Sequence, residues 1–367
     1  MGRVSRVTLI VGARPNFMKT APVYRSLERL GRGVGLSLVH TGQHYDERMS
    51  RVFFEDLQMP EPDVFLGVGS GSHGEQTAKT LVAVEELLAA SAPDLLVVAG
   101  DVNSTLASAL AAVKLHVPVA HIESGLRSFD ERMPEEHNRK LTDHMSAVLL
   151  AHSDSALENL AREGIDPERV HFVGNTMIDS VFEHLQRALE LEPWAAHELV
   201  PGTYALVTLH RPALVDDPRL LAATLAALRE LGDQIPTIFP VHPRTRARIA
   251  DLGLDDSVGR LRLIEPIGYL PFLGLQARAR LILTDSGGIQ EEASALGVPC
   301  FTLRDSTERP VTVTHGTNTL LGARPERISE IVDLVSTART TTSIPLWDGH
   351  AGDRAAEALL AYLAFPS

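Results

Sequence analysis

Short runs of aliphatic and β-branched residues recur along the chain, each followed by a stretch whose apolar positions return every three or four residues. VTLIVG (7–12) leads into an amphipathic segment around Met18 to Leu30. LSLVHTG (36–42), LLVVAGD (95–101), PVAHIES (118–124), AVLLAHS (147–153) and VHFVGN (170–175) follow, with helices predicted over Glu75 to Ser91 and Ser104 to Leu115. The runs are apolar throughout instead of alternating, as parallel strands covered on both faces require. The pattern then restarts with YALVTLH (204–210), TIFPVH (237–242), LRLIEP (261–266), RLILTDS (280–286) and PCFTLR (299–304). Between these lie predicted helices at Pro218 to Leu231, Pro271 to Ala277 and Ile289 to Leu296, and a last helix at Asp353 to Leu363. Strand–helix alternation on this scale predicts α/β architecture, with two Rossmann-like doubly wound domains facing a cleft. The Pro-bearing stretch 189–202 is the predicted linker.

Ligands of doubly wound sheets bind outside the carboxyl ends of the strands. The residues just past the predicted strands are polar: Arg14, Gln43, His44, Asp101, Glu123, His210, Arg211, His242, Asp285 and Ser286.

Composition narrows the field. The 367 residues suit two domains at about 150 residues each, or one large barrel. With 47 acidic against 34 basic side chains the formal charge is −13, which excludes a general nucleic-acid binder but not a site for one small anion. The lone cysteine, Cys300, can form neither an internal disulfide nor a thiolate metal cage, and points to the cytoplasm. No apolar run reaches the roughly 18–20 residues that span a bilayer. The run Val7 to Val11 ends in Gly-Ala-Arg-Pro and reads as a first strand, not a signal peptide. The expected protein is soluble.

GARPNFMKT (12–20) lacks the three glycines of a Rossmann fingerprint and the second glycine of a P-loop, but sets Arg14 and Lys19 near a helix N-terminus, which favours anions. TDSGGIQEE (284–292) would present the backbone N–H groups of Ser286, Gly287 and Gly288 at a helix start, a nest suited to a diphosphate, with Glu292 one turn on for ribose hydroxyls. The plain alternative is a capped helix with a Gly-Gly turn. RDSTERP (304–310) adds Arg304 and Arg309, which suit a pyrophosphate. Asp101, Glu123, Glu135 and His210 are the candidate acids and bases, and Glu135 is placed four residues before Arg139, on one helix face. The spacings of His121 with Glu123 and of His137 with His144 match no metal-ligand pattern, and no G-x-S-x-G is present.

The motifs GARPNFMK, TGQHYD, GDVNST, HIESGLRS, MPEEHNR, VTLHR, PVHPRT, TDSGGIQEEA and STERP, in this order from about Val7 to Gly322, resemble those of the non-hydrolysing UDP-N-acetylglucosamine 2-epimerases. The resemblance implies a GT-B-like fold with the active site between its domains, the first over 1–180 and the second over 181–352, with a C-terminal helix (353–367) packed back on the first. It implies a homodimer that interconverts UDP-GlcNAc and UDP-ManNAc with no cofactor and no metal. The catalytic positions fall on Asp101, Glu123, Glu135 and His210. Substrate-binding positions fall on Arg14, Lys19, Ser286, Gly287, Gly288, Glu292 and Arg309, with Arg139 and His242 near the sugar and phosphates, and Phe272 in the loop that contacts uracil.

The chemistry explains this set. The C2–H of a pyranose has no neighbouring carbonyl and is not acidic, so inversion needs either transient oxidation or loss of the C1 substituent. The absent dinucleotide fingerprint and the cations near helix termini favour elimination of UDP, which requires proton-transfer groups on both faces of the ring. The sequence departs from the family in two places. Acidic Asp46 and Glu75 flank the region where some members bind a second, activating UDP-GlcNAc, and Val311 follows ERP where many members carry Glu. A GT-B glycosyltransferase, an epimerase of a related UDP-acetamido sugar, a hydrolysing epimerase and a non-catalytic sensor remain the competing expectations.

Overall fold

The computed structural model describes residues 4–31, 33–42, 56, 57, 59–254 and 260–364, without the side chain of Arg14. Gln43, His44 and Asp46 therefore lie outside the described residues. The chain divides into two compact units, Met1–Glu183 with Pro345–Ser367, and His184–Ile344.

The first unit holds a seven-stranded parallel sheet: β1 (Ser5–Val11), β2 (Val34–His40), β3 (Val64–Phe65), β4 (Leu95–Ala99), β5 (Val119–Ser124), β6 (Val148–Ala151) and β7 (Val170–Phe172). Their order is β3-β2-β1-β4-β5-β6-β7, so the winding reverses between β1 and β4. The helices are α1 (Arg14–Leu30), α2 (His73–Ser91), α3 (Asn103–Lys114), α4 (Pro134–Met145), α5 (Asp154–Arg162) and α6 (Thr176–Glu190), and the division between the units falls within α6.

The second unit repeats the design. Strands β8 (Ala205–Thr208), β9 (Thr237–Pro240), β10 (Leu261–Ile264), β11 (Leu281–Thr284), β12 (Cys300–Thr302) and β13 (Asn318–Leu320) run in the order β10-β9-β8-β11-β12-β13, all parallel. Its helices are α7 (Pro212–Val215), α8 (Pro218–Gln234), α9 (Pro243–Asp251), α10 (Tyr269–Ala277), α11 (Gly287–Leu296), α12 (Pro310–Thr314) and α13 (Ile331–Thr337). Alternate residues of one strand enter different cores: Ala205 and Val207 join Phe239 and Phe301 on one face, while Tyr204 and Leu206 join Ile238 and Cys300 on the other. Both faces are dry, which is why these strands read as unbroken apolar runs.

The chain then returns to the first unit through α14 (Ala351–Ala364), which packs on α1. A Cβ on Gly352 would lie 2.8 Å from the backbone of Pro22, so only glycine allows this approach. The first N–H groups of α14 find their acceptor far away in sequence: Ala351 and Gly352 donate to Asp179 at 3.1 and 2.6 Å.

The strands end earlier than the apolar runs predict. β4 stops at Ala99 because Gly100 turns the chain with φ +68°, and β11 stops at Thr284 before the turn into α11. The predicted linker is overturned. Leu199 is buried in the core of the second unit, Trp194 packs against that core, and Pro193 sits against Gly274, so the stretch 189–202 belongs to the second unit.

Candidate active site

In the first unit the residues at the winding reversal assemble around two carboxylates. Pro15 opens α1, and Asn16 in its first turn accepts the Ala13 N–H (2.9 Å) and donates to the Ala99 carbonyl (2.6 Å), locking the β1–α1 turn onto the end of β4. One turn further along α1, buried Lys19 forms an ion pair with buried Glu123 at the end of β5. Gly100 lies beneath them, where a Cβ would sit 3.2 Å from Lys19 Nζ and 3.5 Å from Glu123 Oε2. Glu123 itself adopts φ +68°, the left-handed region that non-glycine residues avoid, at a bulge in the pairing of β5 with β6. Such strain persists only where the surroundings impose it.

The second carboxylate, Asp101, is a quarter exposed and ion-paired with Arg139 of α4. Asn138 of the same helix donates to the Asp101 carbonyl at 2.9 Å. Arg139 also reaches Glu136 at 3.1 Å. Glu136 is fully buried and occupied: it accepts from the Ser128 N–H and hydroxyl, both at 2.8 Å, and from the Phe129 N–H at 3.1 Å. The side chain of Glu135, its half-buried neighbour, makes no hydrogen bond or ion pair with any described residue.

In the second unit the equivalent reversal lies between β8 and β11. Asp285, 1% exposed, accepts the backbone N–H groups of His210 (2.9 Å) and Arg211 (2.8 Å), with His210 Nδ1 3.2 Å away. Burial pushes the Asp285 carboxyl up, but the bond and charge of His210 and the two N–H groups outweigh it and hold it below the usual carboxylate range. The carboxylate can only accept, so Nδ1 of this exposed histidine bears hydrogen and faces Asp285. His242 stacks obliquely near it, ring centroids 6.0 Å apart, and caps α9 by accepting the Arg244 N–H at 3.3 Å. Burial, then the neighbouring His210 and Arg244, lower the pKa of His242.

Past β11, Ser286 is the N-cap of α11, yet its side chain makes no capping bond and no acidic residue lies in the first turn. The helix start is thus left for an outside anion. Arg309 lies across it: a Cβ on Gly287 would strike the guanidinium, with Cζ only 2.9 Å away. Three arginines surround one buried carboxylate, Glu308. Arg304 binds it bidentately (2.9 and 3.0 Å), Arg309 reaches it at 3.4 Å and Arg211 at 3.8 Å. Burial raises the Glu308 carboxyl, but this cationic surround outweighs burial and pulls it well below its ordinary range. Arg309 is further anchored on Glu291 at 3.0 Å.

The structure therefore gathers Lys19, Asp101, Glu123 and Arg139 in one unit, and His210, His242, Ser286, Gly287 and Arg309 in the other. Arg139 pairs with Glu136, three residues away, the glutamate of the two that is turned inward. Phe272 lies in the first turn of α10, within the helix predicted over Pro271 to Ala277, and is half-buried against the core. Glu292 is buried and already accepts a hydrogen bond from Gln276. Glu308 and Glu291 were not singled out in the sequence, although the Arg-x-x-x-Glu-Arg spacing of RDSTER was the available signal. Among the described residues no group of three or more His, Cys, Asp and Glu side chains could hold a metal ion, and no helix is long and apolar enough to cross a membrane.

Two parallel doubly wound units, with carboxylates at the strand ends of one and arginines at a helix start of the other, define an α/β enzyme of GT-B-like construction. A family model described as UDP-N-acetylglucosamine 2-epimerase matches residues 28–360, and the chain belongs to that family. It is 43% identical over 357 residues to the UDP-N-acetylglucosamine 2-epimerase of Methanocaldococcus jannaschii, covering 95% of this chain and 97% of that one. It is 41% identical to the UDP-2,3-diacetamido-2,3-dideoxy-D-glucuronate 2-epimerase of Pseudomonas aeruginosa, over 98% of this chain and 99% of that one. The crystal structure of the M. jannaschii enzyme in complex with UDP-GlcNAc and UDP superposes with a TM-score of 0.89, covering 97% of this chain and 99% of that one.

Proposed function

We propose that this chain interconverts UDP-GlcNAc and UDP-ManNAc by eliminating UDP to a 2-acetamidoglucal and adding it back. One observation carries the reading: Asp101 and Glu123 stand at the ends of adjacent strands, each ion-paired with a buried cation, Arg139 and Lys19. As the C1–O bond breaks, its electron pair leaves with UDP. Growing positive character at C1 then makes the C2 proton removable, and the C–H pair becomes the C1–C2 double bond. Return delivers a proton to the opposite face of C2, and a β-phosphate oxygen of UDP bonds again to C1.

In this scheme Asp101, Glu123 and Glu135 relay the proton, and His210, oriented by Asp285, assists the departure of UDP. The N–H groups of Ser286, Gly287 and Gly288, with Arg309, Arg14 and Lys19, take the diphosphate, where each donor to a developing charge is worth about 3–4 kcal/mol. Glu292 and Phe272 serve the ribose and uracil, while Arg139 and His242 lie near the sugar and phosphates. The reaction is carried out by a cytoplasmic homodimer with UDP-sugar as its partner, no cofactor, and no nucleic acid or membrane.

The P. aeruginosa relative favours a second reading, the same chemistry on a UDP-2,3-diacetamido uronate. The test is incubation with each UDP-sugar in D2O, without NAD or acceptor, followed by NMR. Deuterium at C2 with UDP-ManNAc appearing supports the proposal. Turnover of the diacetamido uronate alone moves the assignment to the second reading. Free ManNAc indicates hydrolysis, transfer that needs an acceptor indicates a glycosyltransferase, and unchanged sugar under all conditions indicates a sensor.

A further inference from the structure

Behind the strained Glu123 lies a buried charge network that the reaction scheme leaves unused. Asp143 of α4 is completely buried and meets residues on both sides of Glu123. Two residues before it, His121 Nδ1 lies 2.7 Å from Asp143 Oδ1. Two residues after it, the Gly125 N–H donates to Asp143 Oδ2 at 3.0 Å, and Arg127 donates to the same oxygen at 2.8 Å. One carboxylate therefore brackets the single residue of β5 with positive φ. His121 carries the link across the sheet, since its Nε2 lies 2.7 Å from the carbonyl of Gly100, the residue preceding Asp101.

The protons of this network follow from its partners. A carbonyl can only accept, so Nε2 of His121 bears hydrogen. Burial acts to raise the Asp143 carboxyl, yet the His121 and Arg127 charges and hydrogen bonds outweigh it and hold it below its ordinary range. Arg127 is shared between Asp143 and Glu163, which binds it at 2.6 and 2.7 Å and also lies 3.4 Å from His144. Gly125, at φ +82°, completes the bracket, for a Cβ there would come within 2.6 Å of the Ala156 carbonyl.

We propose that Asp143 and His121 are positioning residues that set both Glu123 and Asp101, holding the Glu123 backbone in its strained conformation and the Gly100 turn beneath Lys19. The inference rests on the epimerase reading, in which those two carboxylates move protons. A displacement of about 1 Å in such a group costs roughly a hundredfold in rate, so Asp143→Asn should lower kcat by about that factor.

The experiment separates positioning from simple loss of folded protein. Wild type, Asp143→Asn and His121→Gln are compared with UDP-GlcNAc carrying hydrogen or deuterium at C2. The expected result is a kcat lowered by about a hundredfold, a nearly unchanged KM, and a larger kinetic isotope effect, because misplaced carboxylates make proton transfer limiting. Partial unfolding lowers kcat but leaves the isotope effect at its wild-type value, and that outcome overturns the proposal. Nitrogen-15 NMR reads the link to Gly100 directly. A protonated Nε2, assigned to His121 by its loss in His121→Gln, supports the network, and an Nε2 without hydrogen overturns it. A wild type that turns over no UDP-sugar yet shows the protonated Nε2 overturns the epimerase reading, and the proposed role falls with it. An active wild type whose His121 Nε2 lacks hydrogen overturns this inference alone.

Discussion

In the first unit, the residues past β1, β4 and β5 set carboxylates against single cations: Glu123 on Lys19, Asp101 on Arg139. In the second unit, the corresponding reversal past β8 and β11 puts three arginines around Glu308, beside a helix start with no acidic residue in its first turn. The strand order about the reversal is shared, and the ratio of cations to carboxylates differs: one to one in the first unit, three about one in the second. The difference teaches that the doubly wound sheet supplies only a place, the carboxyl ends of its strands. A carboxylate held by one cation keeps lone pairs for a proton, whereas clustered guanidiniums and a bare helix start suit a diphosphate. The units also differ in construction. The second is one continuous segment, while the first is completed by α14 returning from the far end of the chain.

The comparison breaks most visibly at Glu123. Glu123→Gln should lower kcat by about a thousandfold or more and abolish deuterium incorporation at C2, while the Kd for UDP stays within threefold, as expected of a lost proton-transfer group. Titration calorimetry with UDP and NMR in D2O measure the two halves, and retained exchange would remove Glu123 from the relay.

The converse substitution sits in the second unit. Gly287→Ala must displace the Arg309 guanidinium, and the charge-assisted bonds lost are worth about 1.5–3 kcal/mol. The Kd for UDP should therefore rise by about ten- to a hundredfold, with the isotope effect on kcat unchanged. An unaltered Kd would mean that Arg309 does not meet the nucleotide.

A smaller effect tests how the first unit closes. Burial raises the Asp179 carboxyl to about 6, against the N–H groups of Gly352 and Ala351. The folded protein then keeps this proton where the unfolded chain, at about 3.9, has released it, so stability is full below pH ~4 and falls as pH rises through ~6. Between pH 5 and 7 the loss is about 1 kcal/mol, and Asp179→Asn should remove it. The two tryptophans fall one in each unit: Trp347 donates to the His152 carbonyl, and Trp194 packs against the second core. Urea titrations read Trp347 in a Trp194→Phe background, and the reverse background should show no change. Smallest of all, Glu75→Gln breaks an exposed pair with Lys79; the unfolding midpoint should stay put, and the dependence of rate on UDP-GlcNAc should remain hyperbolic.

Much of the molecule was legible without coordinates. Strand and helix periodicity is local, so β4, β5, β8 and β11 were visible, and with them the strand-end residues Asp101, Glu123, His210 and Asp285. The two-residue β3 is too short to show a period, and β13 opens on polar Asn318 and Thr319 instead of an apolar run, so neither was. Nor could the pattern tell the two glutamates of PEE apart. Which of them is buried depends on Ser128 and Phe129, whose N–H groups Glu136 satisfies across a loop.

By itself, then, the sequence determined the alternation of elements, the two-sheet architecture and the family, all of which rest on residues near one another in the chain. The tertiary structure decided the partners. Lys19 meets Glu123 across 104 positions, and Asp179 meets Gly352 across 173. His121 and Asp143 close on each other from a strand and a helix 22 residues apart. The physical reason is that a charge taken from water must find its counter-charge in space, and sequence separation places no limit on where the fold supplies it.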